Sequence, residues 1–335
     1  MTHSVAPLRG DLMALDEEVD AGTSSHLVVS LRDGIARRGT SNPAVAYLIS
    51  LRSPRSRVTM TSFLNNVASK LNCSSLYTCP WEALNRQHVL AILEALQLDG
   101  LAPNTINTYL AAIKGTALEA RSMRLMSSED FLDIKNVRRV KGFRLPKGRA
   151  LEPLEMKDLL ATCSEDSRPI DVRDRAILNV LLGCGLRREE IVSLDYPKHV
   201  DWIEGKLVVL GKGNKERVAY LPRPVVDPLR AWIAGRGKDP GPLFVRILRH
   251  DKITRKRLST QAIYNLVGER SIQAGIEKIS PHDTRRTFAT HHLNNGVDLL
   301  TLQRLMGHSS LETTKQYDRR GDAVMKEAAE NLTLF

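Results

Sequence analysis

The segment KNVRRVKGFRLPKGRALEP, residues 135–153, constrains this chain most, because it divides two different hydrophobic patterns. It carries seven basic residues between Lys135 and Arg149 and no acidic one. Pro146, Gly148 and Pro153 favour an extended path. Before it, NPAVAYLISL, RSRVTMTSFLNNVASKL, WEALNRQHVLAILEAL and APNTINTYLAAIKGTALEARSM place apolar residues at helical spacing, punctuated by Pro80 and Asp99-Gly100. After it, helical runs alternate with KLVVLGKGNKERVAYLP, whose β-branched stretches flank a Gly-Asn turn. The chain therefore reads as a loose extension over 1–40, an all-helical domain over 41–135, a basic linker over 136–153 and a mixed domain over 154–335. The expected fold is mainly α with a small β-hairpin sheet in the second domain, ending in a short amphipathic helix, DAVMKEAAENLTLF.

At 335 residues each domain can bury its own core. The net charge of +11 points to a polyanionic partner, nucleic acid first. Its distribution is uneven: residues 1–40 carry net −2, 41–150 net +8 and 151–335 net +5. The linker is either a solvated spacer or a strap against phosphates. Its place between two basic domains favours the strap, with Arg138, Arg139, Lys141, Arg144 and Lys147 as phosphate contacts. The four cysteines form no C-x-x-C pair and read as reduced thiols. The acidic N-terminus lacks the apolar core of a signal peptide, and no apolar run approaches the ~18 residues of a membrane span. A cytoplasmic, nucleoid-associated protein is expected.

Four islands in the second domain gather cationic and imidazole groups. In GCGLRREEIVSL, Arg187 stands at a glycine-hinged helix start, where free N–H groups favour an anion. The plain alternative pairs Arg187 and Arg188 with Glu189 and Glu190. In GKGNKER, Lys212 sits at a hairpin tip, and no phosphate-cradling G-x-x-x-x-G-K-[ST] loop is present. In SPHDTRRTFATHHL, proline opens a helix that puts His282 and Arg285 on one face. In LMGHSSLETTKQY, Gly307 breaks the apolar period. Ser309 and Glu312 form an S-x-x-E box, and Tyr317 is expected on the second turn of a polar helix, without an apolar face to join.

Together these groups suit phosphoryl transfer. Two arginines can clamp the oxygens of a phosphodiester. A histidine can take the proton of a phenol, and a lysine or histidine can protonate a leaving alkoxide. A tyrosine can attack phosphorus and hold it covalently. No acidic or histidine cluster has metal-ligand spacing, so the cations are expected to do the work of a metal. A covalent phosphoester also conserves bond energy, so no nucleotide cofactor is expected.

GLRREEI, GKGNKERVAYLP, HDTRRTFATHHL and LMGHSSLETTKQY resemble the signature boxes of the tyrosine recombinase, or phage integrase, family. Their order and the nine-residue step from His308 to Tyr317 fit as well. The likeness is strong over 150–320 and weaker over 41–135, the family's helical core-binding domain. It implies a two-domain DNA clamp that breaks and rejoins DNA through a 3′-phosphotyrosine and a Holliday junction, without metal or ATP. It implies that Arg187 and Arg285 hold the phosphate and that Lys212 protonates the 5′-hydroxyl. His282 would assist Tyr317, His308 would donate to the phosphate, and Glu190 would buttress the site. Arg286 departs from the family's frequent histidine. The likeness further implies a homotetramer on double-stranded DNA sites that exchanges C-terminal helices, with accessory DNA-bending proteins as possible partners. The short acidic extension is wrong for a second DNA-binding module, which points to a Xer- or resolvase-like enzyme acting on short core sites. A type IB topoisomerase-like enzyme and a DNA-binding regulator without chemistry are the competing readings.

Overall fold

The computed structural model describes residues 42–142, 148–163, 168–211, 215–308, 310–318 and 330. The chain forms two compact units that part at Leu145 and Pro146. The extension over 1–40, Arg144, Lys147, Lys212, Ser309 and the C-terminal helix expected from 322 fall outside the described residues, Glu330 excepted.

The first unit contains helices α1 (Pro43–Ser50), α2 (Pro54–Lys70), α3 (Arg86–Leu98), α4 (Pro103–Ser122) and α5 (Ser128–Lys135). Side-chain caps fix four of their starts: Asn42, Ser53, Asn85 and Ser127 each accept backbone N–H groups. The apolar faces meet around Trp81, Leu64, Leu96, Ile106 and Ile113, all buried. Trp81 Nε1 donates to the Leu76 carbonyl at 2.7 Å, so the largest core side chain leaves no polar atom unpaired.

The strap begins on this unit. Val137 is buried, and Val140 exchanges two hydrogen bonds with the Asn107 side chain of α4, at 2.9 and 3.0 Å. Lys114 Nζ donates to the Val137 carbonyl at 2.7 Å. With valines turned inward, Arg138, Arg139 and Lys141 are left exposed. Neutralising these three together is expected to weaken binding to all duplexes alike and to flatten the log–log salt slope by about 2.7. Titrations at several salt concentrations check this; an effect confined to one cognate sequence would mean base reading.

The second unit opens with α6 (Pro153–Ala161) and α7 (Pro169–Cys184), followed by α8 (Arg188–Ser193). Strands β1 (Asp195–Tyr196), β2 (Val200–Asp201), β3 (Lys206–Gly211) and β4 (Lys215–Tyr220) lead to α9 (Arg223–Arg236). Then come β5 (Gly241–Pro242), β6 (Val245–Ile247), β7 (Ile253–Arg257), α10 (Thr260–Gln273), α11 (Pro281–Asn294), α12 (Leu299–Met306) and α13 (Leu311–Lys315). All pairing among the described residues is antiparallel: a three-stranded β2-β3-β4 sheet, with β1 on β5 and β6 on β7. The unit is thus mainly helical with small sheets, as expected. Ile177, Leu178, Val180 and Leu181 bury α7 on several sides, packed with Leu229 and Trp232 of α9. Arg270 of α10 holds Asp171 and Asp174 of α7 at 2.6 and 2.8 Å, and Arg173 holds Asp174 at 2.7 Å. These buried charges are paired, which is what makes their burial tolerable. All four cysteines are free, and among the described residues no helix is long and apolar enough to cross a membrane.

Candidate active site

Two left-handed glycines shape the site. Gly185 ends α7 with φ +56°, and a Cβ there would run into the Phe288 ring of α11. Gly307 ends α12 with φ +62°, and a Cβ there would strike the Arg217 side chain. These close approaches bring the start of α8, strand β4, the first turns of α11 and the end of α12 together.

Arg285 lies at the centre, 2% exposed. It donates to the carbonyls of Gly185 and Met306, and its Nη2 lies 2.9 Å from His308 Nε2. Burial and then the nearby Arg187 lower its pKa to about 10, which still leaves it a cation at neutral pH. Arg187 caps α8 with its side chain more than one-third exposed. Its backbone N–H, expected to be free for an anion, donates to Glu190 Oε2 at 2.8 Å, and its Nη1 donates to Glu190 Oε1 at 2.7 Å. The Arg187–Glu190 pairing set against a functional role is therefore present, and it orients the guanidinium.

Glu190 is buried and also accepts from Arg217 Nη2 at 2.8 Å. Burial alone would raise its pKa; Arg217 and Arg187 overcome that and hold the carboxyl below its ordinary range. Arg217 is the member of the site that motif reading misses. The signal was its register: it pairs with the fully buried Val209 and shares the inward side of β4 with Ala219. A cation on that side needs a partner. Arg217→Ala would leave the Glu190 carboxylate with Arg187 alone. Thermal unfolding is expected to show a loss of about 3 kcal/mol, partly restored by adding Glu190→Gln. A double variant no more stable than Arg217→Ala would remove this coupling.

His308 is buried, with Nδ1 2.9 Å from Thr314 Oγ1. A guanidinium can only donate, so Nε2 accepts from Arg285 and Nδ1–H donates to Thr314. Burial, then Arg285 and Arg187, push its pKa down to about 4, so the ring is neutral in ordinary buffers. His282 is exposed at the second position of α11, beside a groove of about 340 Å³ that Arg187, Arg188 and Arg285 also line. Desolvation by the surrounding groove and then Arg286 lower its pKa, leaving it a free base near neutrality.

Tyr317 departs from expectation in two ways. Helix α13 starts at Leu311, capped by Ser310, and stops after Lys315, so Tyr317 occupies the turn beyond it. It does have an apolar face to join: Tyr317 is buried with Phe288, Ala289, Leu293, Leu302 and Met306. Its ring centre lies 6.0 Å from that of His308 and 6.4 Å from that of His282. The structure thus gathers Arg187, Glu190, His282, Arg285, His308 and Tyr317, to which it adds Arg217 and Thr314. Among the described residues no cluster of His, Cys, Asp or Glu could hold a metal ion.

Residues 149–323 match the model of the phage integrase family. The chain belongs to that family. Tyrosine recombinase XerA of Pyrococcus furiosus is 30% identical over 271 residues, covering 72% of this chain and 92% of the relative. XerC of Alcanivorax borkumensis is 30% identical over 244 residues, covering 71% and 76%. The fold is shared with the Tn1549 transposon integrase solved with circular intermediate DNA: TM-score 0.63, 18% identity, 86% of this chain and 99% of that one. It is also shared with XerH bound to difH in a post-cleavage complex, at TM-score 0.60 and 20% identity, covering 87% and 95%. This tyrosine recombinase is therefore an enzyme of site-specific DNA recombination, with its catalytic domain in the C-terminal unit.

Proposed function

We propose that Tyr317 attacks a DNA phosphate held by Arg187 and Arg285, forming a 3′-phosphotyrosine, and that two rounds of such exchange pass through a Holliday junction. The placement of Tyr317 between the two histidine rings, beside a buried Arg285, is the observation that supports it most. His282, neutral and exposed, can receive the phenol proton as the oxygen attacks phosphorus. The arginines neutralise charge growing on the non-bridging oxygens, and Lys212 gives a proton to the departing 5′ oxygen. His308 offers Arg285 a lone pair in this arrangement. Donation to a phosphate therefore requires Arg285 to turn toward the substrate and the ring proton to move from Nδ1 to Nε2.

With Arg187 and Arg285 supplying the positive charge, the proposed reaction needs neither metal nor ATP. Incubating the protein with a nicked site duplex in EDTA should give a covalent adduct that survives SDS. An absolute requirement of the cleavage step for Mg²⁺ would overturn that mechanism. Relatives named XerA and XerC favour a simple recombinase, acting as a homotetramer on paired core sites and lending each C-terminal helix to a neighbour. We place its work on chromosomal, plasmid or mobile-element DNA in the cytoplasm, with DNA-bending proteins able to assist. Relaxation of a plasmid without any recombination site at equal rate would favour the topoisomerase reading.

A further inference from the structure

Helix α11 has two tasks. His282 and Arg285 serve the phosphate groove. Asp283, Arg286, Thr287 and His291, at helical spacing along an adjoining stripe, hold the segment Gly148–Leu151, where the basic strap enters this unit. Arg149 N–H donates to Asp283 Oδ1 at 3.2 Å, and Arg286 Nη1 donates to the Gly148 carbonyl at 3.0 Å. Leu151 N–H donates to Thr287 Oγ1 at 2.9 Å, and His291 Nε2 lies 3.3 Å from the Leu151 carbonyl. Gly148 has φ +95°, and any Cβ there would collide with Asp283. The strap end is thus pressed against the helix over two turns. Asp283 also receives Ser280 N–H and Oγ–H at 2.9 and 2.7 Å, so the same carboxylate caps the turn that carries His282.

Arg286 links this latch to the nucleophile. It is 5% exposed, and it lines a cavity of about 360 Å³ together with Arg149, Ala150, Thr290, Gln316 and Tyr317. One side chain therefore donates to the strap's backbone while its residue lines a cavity that Tyr317 also lines. We propose that Arg286 is a positioning residue for strand cleavage, tying the strap's exit to α11 and fixing the wall against which Tyr317 is presented. The inference rests on Tyr317 being the nucleophile.

The charge has a second effect. His282 faces Asp283, Arg285 and Arg286 on its own helix, Arg187, Arg188 and Glu189 at α8, Tyr264 on α10 and Tyr317 beyond α13. Desolvation and then Arg286 hold it below its ordinary range. Removing the Arg286 charge raises the pKa of His282. The acid limb of the cleavage profile, where the base becomes protonated, should therefore move to higher pH.

The test uses the full chain with Arg286→Met, which keeps the buried stem and removes donors and charge, and Arg286→Lys, which restores the charge. Single-turnover adduct formation is measured at saturating nicked site DNA across pH, beside DNA affinity and melting temperature. A misplaced reacting group can cost on the order of 10²-fold. Arg286→Met is expected to cleave about 10–100-fold more slowly, with affinity unchanged within about threefold and the acid limb shifted upward. Arg286→Lys should recover most of the rate and the wild-type limb. Wild-type cleavage by Arg286→Met at saturating DNA would overturn the proposal. So would equal slowing of both variants in step with falling melting temperature. Absence of any adduct from the wild-type protein would instead overturn the phosphotyrosine reading.

Discussion

Tyr317→Phe is expected to bind site DNA with near wild-type affinity and to form no SDS-stable adduct. The substitution removes one oxygen and keeps the ring. Packing against Phe288, Leu302 and Met306 and the ring approach to His308 are preserved, so the fold should hold. Binding is spread over many phosphate contacts and does not need the hydroxyl. Cleavage needs it absolutely, because the attacking atom is gone. Gel separation after SDS, with a nicked duplex that traps the covalent form, reads the result. An adduct that persists would assign the chemistry to one of the six other tyrosines.

Lys212→Ala should cleave an ordinary strand about 10²–10⁴-fold more slowly, the usual worth of a general acid. With sulfur in place of the bridging 5′ oxygen the leaving group needs no proton, and the variant should recover most of wild-type speed. Arg187→Ala should not recover, because its guanidinium answers charge on phosphorus oxygens that sulfur substitution leaves in place. Single-turnover cleavage of both substrates separates the two roles. Equal slowing of Lys212→Ala on oxygen and sulfur would move Lys212 to phosphate binding and pass the acid role to His282.

The candidate site was legible in the sequence because the proposed chemistry demands residue types in a fixed order. Arg187, His282, Arg285, His308 and Tyr317 stand in boxes whose spacing survives translation into helices and turns. Glu190, expected as a buttress, holds two guanidinium groups from its buried position. Other features belong to tertiary structure. The S-x-x-E box at Ser309 and Glu312 pointed to a helix that would carry Tyr317. The cap is Ser310, α13 ends at Lys315, and the tyrosine lies in the turn that follows. Arg217 escaped because a motif does not say which side of a strand meets a buried carboxylate. Helix α9, for which the sequence reading made no assignment, carries Pro224 in its first turn, where proline is tolerated, and Pro228 inside, and packs against α7. Arg286, noted only as a departure from the family's frequent histidine, is buried and donates to the Gly148 carbonyl at the strap's end.

Among the described residues, the apolar group around Tyr317 is separate from the main core of its unit and comprises six buried residues. A cluster so small can open at a fraction of the free energy that unfolds the whole unit. Tyr317, proposed as the nucleophile, is therefore packed in a small apolar cluster rather than in the main core. How often Tyr317 leaves this packing is an equilibrium population to which Leu302, Met306 and Phe288 contribute. Loosening these contacts would raise that population and would also disturb the phosphate clamp, since Phe288 packs on Gly185 and the carbonyls of Gly185 and Met306 receive Arg285. On the proposed reading, the packing of the tyrosine and the setting of Arg285 are therefore coupled through one small cluster, because Met306 belongs to that cluster and its carbonyl receives Arg285.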